Sequence, residues 1–331
     1  MFKKVFAVMA VLLPIFLFSA CTGNGELDVE TNLSDMNMET VDKALTGEDK
    51  NETEKIKLNK DEWLSKDDRG KIKIFSFNIK GGGEGINSEE QRKPRIIELL
   101  RDYYPDIIGF QEVNSVWYDW FNTDIFSDVY SFYGKPRDPE NSKSERSLIM
   151  YNHHRFNLIN SGDFWLNQDV YDDLKSASTA VGWDAKYQRV CSWVQLEDRE
   201  SGKQFVVMNV HFDHKGVQAR IKSAELMVKM ADTWDIPVVI TGDFNASEAS
   251  GAYKIMLGGD YENVKYVAQS TMSWATSPRF YNEGTEFGEV IDHIFVSKGI
   301  FDVDSYAVIK EKYGGGRVSD HYPVYAVISF K

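Results

Sequence analysis

Amide, carboxylate and imidazole side chains recur at the ends of apolar runs along this chain. Ile74-Phe75-Ser76 leads to Asn78, and Ile107-Ile108-Gly109-Phe110 leads to Gln111-Glu112. Phe205 to Val210 leads to His211, with Asp213 just beyond, and Val238-Val239-Ile240 leads to Thr241-Gly242-Asp243-Phe244-Asn245. A Gly-rich approach from Tyr313 to Ser319 ends at Asp320-His321. All of these groups can bind a cation or move a proton, and loops at one rim of a sheet commonly gather such groups. Singly, each has a plainer explanation. Gly242-Asp243-Phe244-Asn245 is a good turn with Asn245 as a helix N-cap, and Gln111-Glu112 fits a solvated strand end. Five such endings together favour one shared site.

Asp292 is the sharpest case. In Val290-Ile291-Asp292-His293-Ile294-Phe295-Val296 it shares a strand face with Val290, Ile294 and Val296. A carboxylate buried there costs roughly several kcal/mol unless it is paired or hydrogen-bonded. A histidine partner is therefore expected, with an exposed edge strand as the alternative.

The elements that must position these groups alternate. Lys71 to Ile79 reads as a strand by its period of two. Ile96, Leu99, Leu100 and Tyr103 recur at helical spacing and stop at Pro105. Asp106–Gln111 reads as a short buried strand, and Tyr130 to Val210 is mostly β. Val217, Ile221, Ala224, Val228 and Ala231 mark a second helix. Pro237–Thr241, Val290–Ser297, Ser305–Ile309 and Tyr322–Phe330 complete the strands. Helices near both ends of a strand-rich body imply sheets packed together with helices outside.

Phe77-Asn78, Gln111-Glu112-Val113, Asn209-Val210-His211-Phe212-Asp213, Gly242-Asp243-Phe244-Asn245, Ile291-Asp292-His293-Ile294 and Ser319-Asp320-His321-Tyr322-Pro323-Val324 resemble, in order, the motifs of the endonuclease/exonuclease/phosphatase (deoxyribonuclease-I-like) superfamily. The resemblance spans roughly 71–331. It implies an α+β fold, a four-layer α/β sandwich of two packed mixed β-sheets with helices outside. It also implies a site at one rim and Mg2+-dependent hydrolysis of a phosphoester, with Mn2+ or Ca2+ as alternative ions. Asp163-Phe164-Trp165-Leu166, Gly182-Trp183-Asp184 and the stretch His211 to Arg220 resemble secreted or lipid-anchored bacterial members.

Phosphoester hydrolysis needs an activated water, neutralisation of charge on the phosphoryl oxygens and help for the leaving oxygen. Mg2+ prefers oxygen ligands and keeps several waters, so one or two carboxylates suffice. Glu112 is the first expected ligand, with Asn78 and Asp320 beside it. In the manner of the family, Asp243 and Asn245 orient or deprotonate the attacking water, and Asn245 holds a phosphate oxygen. His321, paired to Asp292, and His211 flank the phosphoryl group. A carboxylate behind a histidine fixes its tautomer and favours the protonated form. By resemblance to the deoxyribonuclease branch, Glu145 pairs with His211 as a second dyad, and Arg189 contacts phosphate.

Departures from the family pattern bear on substrate. Lys80 stands where apurinic endonucleases carry a metal-binding Asp, which weakens a two-metal reading. Asn114 stands where the deoxyribonuclease branch has an arginine for the minor groove. The densest basic cluster, Arg92-Lys93-Pro94-Arg95, is expected to begin a helix. His214 and Lys215 are candidates to face an anionic group, while His153-His154 read as solvated surface. Trp117, Trp120, Trp165, Trp183 and Trp274 are expected to pack in the core or at the rim, with one or two free to stack on a ring.

Composition narrows the partners. The 331 residues are 42% hydrophobic and 13% aromatic, which excludes a disordered chain. A net charge of −13 does not draw DNA from a distance. At the N-terminus Lys3 and Lys4 precede the apolar run Val5 to Phe18, and Ser19-Ala20-Cys21 follows. That pattern reads as an export signal over residues 1–20, and Cys21 resembles the acylated cysteine of a bacterial lipoprotein. Residues 21–70 are polar and acidic, expected to form a flexible tether, with the catalytic domain at 71–331. Cys191 is then a free buried thiol.

Three functions compete on this evidence. The first is a Mg2+-dependent phosphoester hydrolase outside the cytoplasmic membrane, acting on a small, glycan-, inositol- or lipid-linked phosphate ester. The second is an extracellular DNA or RNA endonuclease, which the charge disfavours. The third is a catalytically silent binding module, which would not need a buried Asp–His pair. The expected state is a monomer, lipid-anchored through Cys21 to a bacterial membrane (the outer membrane or cell surface in a diderm).

Overall fold

Two parallel strand pairs organise the molecule. The computed structural model describes residues 57–66, 68, 70–280 and 289–331, all within the unit Lys50–Lys331. The expected export signal, Cys21 and most of the expected tether lie outside the described residues.

The part of the tether that is described does not behave as one. Helix α1 (Lys60–Ser65) is capped by the Asn59 side chain, which accepts from the backbone N–H groups of Asp61 and Glu62. Leu58 and Trp63 are buried, and the Trp63 indole donates to the Tyr130 hydroxyl at 2.9 Å. Two apolar side chains suffice to dock this short helix, so the packed body begins before Lys71, the expected domain start.

Strand β1 (Lys71–Asn78) runs parallel to β2 (Ile107–Val113), joined through helix α2 (Glu89–Tyr103). Ser88 caps that helix, and Tyr104 ends it in a left-handed conformation at φ 47, ahead of Pro105. Helix α3 (Ser115–Phe121) follows β2, with Asn114 as its cap. The basic cluster lies inside α2 rather than at its start, and Arg92 and Arg95 are buried. The first sheet is completed by β3 (Tyr130–Tyr133), β4 (Arg146–Asn152), β10 (Ser270–Met272), β12 (Phe301–Val308) and β13 (Val324–Phe330). Its order is β10-β12-β13-β1-β2-β4-β3.

The second sheet repeats the plan. Strand β7 (Gln204–His211) runs parallel to β8 (Val238–Asp243), joined through helix α4 (Val217–Ala231). With β5 (Phe156–Trp165), β6 (Val190–Asp198), β9 (Tyr261–Asn263) and β11 (Asp292–Ser297) it takes the order β5-β6-β7-β8-β11-β9. Between the sheets, Ile72, Ile74, Ile107 and Ile149 pack on Val194, Val207, Val239 and Ile294. Outside, Ile96, Leu99 and Trp117 cover Phe75 and Phe110, while Ala224 and Met227 cover Met208 and Ile240. The result is the four-layer sandwich of two mixed sheets, and Cys191 is buried and free as expected.

Near one rim the seam between the sheets turns polar. Gln111 Nε2 donates to Asn209 Oδ1 at 2.7 Å, and Asn209 Nδ2 donates to the Phe110 and Leu148 carbonyls at 2.7 and 2.9 Å. Gly109 permits the close approach, since a Cβ there would overlap Thr241 Oγ1. Gln111 is thus a structural tie between sheets. Strand direction explains the placement of the rest. The parallel strands β1, β2, β7 and β8 end at this rim, and their antiparallel neighbours β13, β4, β6 and β11 begin there.

Candidate active site

Asn78, the last residue of β1, ties the two sheets together at the rim. Its Nδ2 donates to Glu112 Oε1 at 3.1 Å and to Asp243 Oδ2 at 3.0 Å, while its Oδ1 accepts from the Lys80 N–H at 3.0 Å. The amide oxygen is therefore already engaged. Asn78, expected as a metal ligand, orients the carboxylates on either side of it through its amide nitrogen.

Glu112 owes its aim to backbone geometry. The β2–β4 register slips between Phe110 and Val113, and Glu112 takes a left-handed φ of 58, so the bulge turns its side chain into the rim. Oε2 accepts from the Gly81 N–H at 3.0 Å, and the Lys80 ammonium lies 3.5 Å from the same oxygen. Burial pushes the Glu112 carboxyl up, but Lys80, the Gly81 N–H and Asn78 outweigh it and hold the group ionised. On the far side of Lys80, Asp320 Oδ2 stands 3.8 Å from the ammonium.

Asp243 and Asp292 sit directly opposite each other on β8 and β11, each 1% exposed. Two carboxylates so placed require a proton or a cation between them. His321 supplies it: Nδ1–H donates to Asp292 Oδ2 at 2.9 Å, and Nε2 lies 3.9 Å from Asp243 Oδ2 and 3.3 Å from Ser277 Oγ. Burial opposes a charged ring, but Asp292, followed by Asp243 and Asp320, lifts His321 to about 10. Burial first and Asp292 second raise Asp243 to about 7, against the pull of His321. Asp243, Asp292 and His321 place ligand atoms within 4.8 Å of one another. The trio can hold a proton between its members, and its ligand atoms stand close enough to share a metal ion.

Across the cavity, His211 Nε2 is 3.5 Å from Asp243 Oδ2. Burial, followed by Arg189 and Arg137, keeps this ring well below its ordinary value and hence neutral. The expected Glu145–His211 dyad does not form. The Glu145 carboxylate instead takes the Arg137 guanidinium at 2.5 Å, a stronger partner than a neutral imidazole. Arg189 is buried, with Nε 3.4 Å from Asp213 Oδ2 and Nη2 donating to His214 Nδ1 at 3.2 Å. Asn245, left-handed at φ 45, is fixed by Asp243 Oδ1, which accepts its N–H at 2.9 Å, and by the Phe212 carbonyl. Lys80, Glu112, Arg137, Glu145, Tyr187, Arg189, His211, His214, Asp243, Asn245 and His321 surround one cavity of about 290 Å³.

Asp292 lies behind His321, and Lys215 is not among the lining residues. Two residues escaped the sequence reading. Arg137 lies in an irregular Lys-Pro-Arg-Asp-Pro turn with no pattern to flag it. Tyr187, its ring 4.6 Å beneath the Arg137 guanidinium, is equally unmarked. The clustered arginines do other work: Arg92 donates to the carbonyls of Ile79, Lys80 and Gly82, and Arg95 to that of Arg317. They pin the two loops that carry Lys80 and Asp320.

The sequence profile of the Endonuclease/Exonuclease/phosphatase family matches residues 75–164 and 233–321, more than half of the chain. The chain belongs to this family. It is accordingly a hydrolase acting on phosphoester bonds, in a family whose enzymes are generally divalent-metal dependent. Rat nocturnin is 27% identical over 256 residues, covering 71% of this chain and 56% of its own length. The chain thus spans just over half of that relative. A protein of Acanthamoeba polyphaga mimivirus, L388, is 26% identical over 276 residues, covering 76% of this chain and 98% of its own length. Among solved structures, a mannosyl-6-phosphatase of Bacteroides thetaiotaomicron has a TM-score of 0.69 at 28% identity, over 78% of this chain and 100% of that one. Another family protein from the same organism has a TM-score of 0.71 at 27% identity, over 79% and 98%.

For the family's metal, the donor chemistry fits. Glu112 is ionised and lines the cavity, and Asp320, outside the lining, shares the Lys80 ammonium with it, so two hard oxygen donors flank one cation.

Proposed function

We propose that this family member is a Mg2+-dependent hydrolase of small phosphate esters, sugar-, inositol- or lipid-linked, exported and held at a bacterial membrane through Cys21. The observation that carries the reading is the cavity itself. At about 290 Å³ it has room for a phosphoryl group with a small headgroup such as a sugar ring attached, and Lys80, Arg137 and Arg189 line it alongside a charged His321. A half-open pocket that sets three cationic side chains among carboxylates suits a small phosphorylated headgroup together with a metal ion. The likeness to a mannosyl-6-phosphatase makes sugar phosphates the first candidates, and the net charge of −13 weighs against long-range capture of nucleic acid.

Glu112 and Asp320 would hold the divalent ion, which when bound neutralises phosphoryl oxygen charge as a Lewis acid. The chain's own groups do the rest. Asp243, near 7, is matched to take a proton from water at neutral pH. The Asn245 side chain and backbone hold Asp243 and the cavity wall in register. His321 presents Nε2–H to charge developing on the phosphoryl group, with Asp292 fixing its tautomer. Arg189, held by Asp213, offers guanidinium charge from the opposite wall.

The test is a parallel assay of mannose 6-phosphate, inositol phosphates, bis(p-nitrophenyl) phosphate, plasmid DNA and RNA, with chelator and with restored Mg2+. Phosphate release that vanishes with chelator and returns with Mg2+ is expected. Plasmid nicking or RNA trimming faster than any phosphate release would transfer the assignment to a nuclease, and chelator-insensitive turnover would remove the metal. The anchor is tested separately: palmitate labelling should be lost, and the protein released from membranes, in Cys21→Ser.

A further inference from the structure

Lys80 is the most heavily constrained exposed-tipped side chain at the rim. Its backbone is left-handed at φ 64, a conformation that a residue with a Cβ adopts only when its surroundings enforce it. Its N–H donates to Asn78 Oδ1 at 3.0 Å. Its carbonyl accepts from the Trp117 indole and from Arg92 Nη2, each at 2.9 Å. Trp117 and Arg92 are both fully buried, so the core itself fixes the direction in which this lysine leaves the chain. That direction carries the ammonium between Glu112 Oε2 at 3.5 Å and Asp320 Oδ2 at 3.8 Å.

Neither distance is that of a tight hydrogen-bonded ion pair, and the lysine side chain is 37% exposed against 15% and 18% for the two carboxylates. The ammonium is a movable cation on a flexible stem, parked where two acids would otherwise repel each other. We propose that Lys80 is a built-in counter-cation. It neutralises Glu112 and Asp320 while no divalent ion is bound, competes with that ion for the same two carboxylates, and turns toward the cavity when displaced. The inference rests on the metal reading above and adds what that reading does not contain: the chain limits its own metal affinity. Displacement has a functional consequence. Lys80 lines the same cavity as His321 and Arg189, so an ion that evicts it from the carboxylates frees its charge for an anionic substrate.

The test compares wild type with Lys80→Met, which keeps the stem and deletes the charge, and with Lys80→Arg, which keeps a charge. Mn2+ binding is followed by calorimetry and by the electron paramagnetic resonance signal of free Mn2+. Melting temperature is measured in EDTA and in Mn2+. Removing one positive charge about 4 Å from the acids should tighten Mn2+ binding by roughly tenfold or more after solvent screening. Lys80→Met should also melt lower than wild type in EDTA, where Glu112 and Asp320 face each other uncompensated, and Mn2+ should restore it. Lys80→Arg should stay near wild type in both measurements. Equal or weaker Mn2+ binding by a folded Lys80→Met would overturn the inference while leaving the metal reading intact. No Mn2+ binding by wild type and Lys80→Met alike would overturn both.

Discussion

Asp292→Asn tests the charge network most directly, because the substitution keeps the side chain's shape and removes its charge. In the wild type His321 is lifted to about 10, so at pH 7.5 the imidazole is almost wholly protonated. Without the Asp292 charge, burial acts on the ring with less opposition, and its pKa falls toward the ordinary 6.5 or below. A ring at 6.5 is only about one-tenth protonated at pH 7.5. Population alone then costs about tenfold in kcat/KM, and the weaker hold on the ring's orientation should bring the total to about 10²–10³. The same substitution removes the like charge that raises Asp243, while the loss of the His321 charge that lowers it works the other way. The acid shift of the optimum therefore comes from His321. The assay is kcat/KM from pH 5 to 9 at saturating Mg2+, with a p-nitrophenyl ester. The expected result is a deficit that shrinks by about tenfold between pH 7.5 and 5.5. A variant profile that merely parallels the wild type at a constant offset would refute the argument, because it would mean that Asp292 does not set the protonation of His321. Stability gives a second reading with a fixed sign. A pKa raised above 6.5 stabilises the fold fully below pH 6.5, and the stabilisation is lost as pH rises toward 10. Asp292→Asn should erase that slope.

Three further outcomes follow from the geometry. His321→Ala should lower kcat by about 10²-fold or more and raise KM by less, since the ring's charge helps hold the anion but counts most against charge that develops during reaction; unchanged kcat would leave His321 a structural role. Gly109→Ala should cost about 1–3 kcal/mol in denaturant unfolding, because the new methyl meets Thr241 and Asn209 across the seam between sheets. His293, buried with Nε2–H donating to the Ala246 carbonyl at 3.0 Å, is held neutral, its pKa pushed down to about 4 by burial. Its contribution is full above pH 6.5 and lost as pH falls toward 4, so His293→Gln should flatten the decline in melting temperature across that window.

What the sequence made legible follows strand direction. Asn78, Glu112, His211, Asp243 and His321 each stand at the end of a parallel strand or just before an antiparallel one, and a rim position is readable from the apolar run beside it. The Asp292–His321 pairing was legible for a different reason, since a carboxylate on a core-facing strand position demands a partner. What stayed hidden depends on contacts between irregular segments. Glu145 is placed by strand β4, but its partner Arg137 comes from a turn whose course no periodicity encodes. The basic cluster in α2 looked like helix-starting surface charge. Arg92 and Arg95 are instead buried because loop carbonyls around Lys80 and Arg317 need donors, and that need is invisible until the loops have a shape. Trp63 lay in a polar stretch whose composition argued against packing, and two buried side chains, Leu58 and Trp63, were enough to dock it.

The rim also shows where this fold places its strain. Lys80, Glu112 and Asn245 are non-glycine residues in the left-handed region, and each such conformation costs on the order of 1–3 kcal/mol. All three are restrained through side chains of the same small group. Asn78 holds Lys80 and Glu112, and Asp243 holds Asn245, while Asn78 and Asp243 are hydrogen-bonded to each other across the two sheets. The strained positions therefore share one support, whose formation requires the sheets to be in register at Gly109 and Asn209. A folding seam that permits no Cβ at Gly109 and a site that tolerates left-handed Glu112 are two consequences of the same close approach. Rim geometry is set by the core beneath it, and the carboxylates cannot relax apart without separating the sheets.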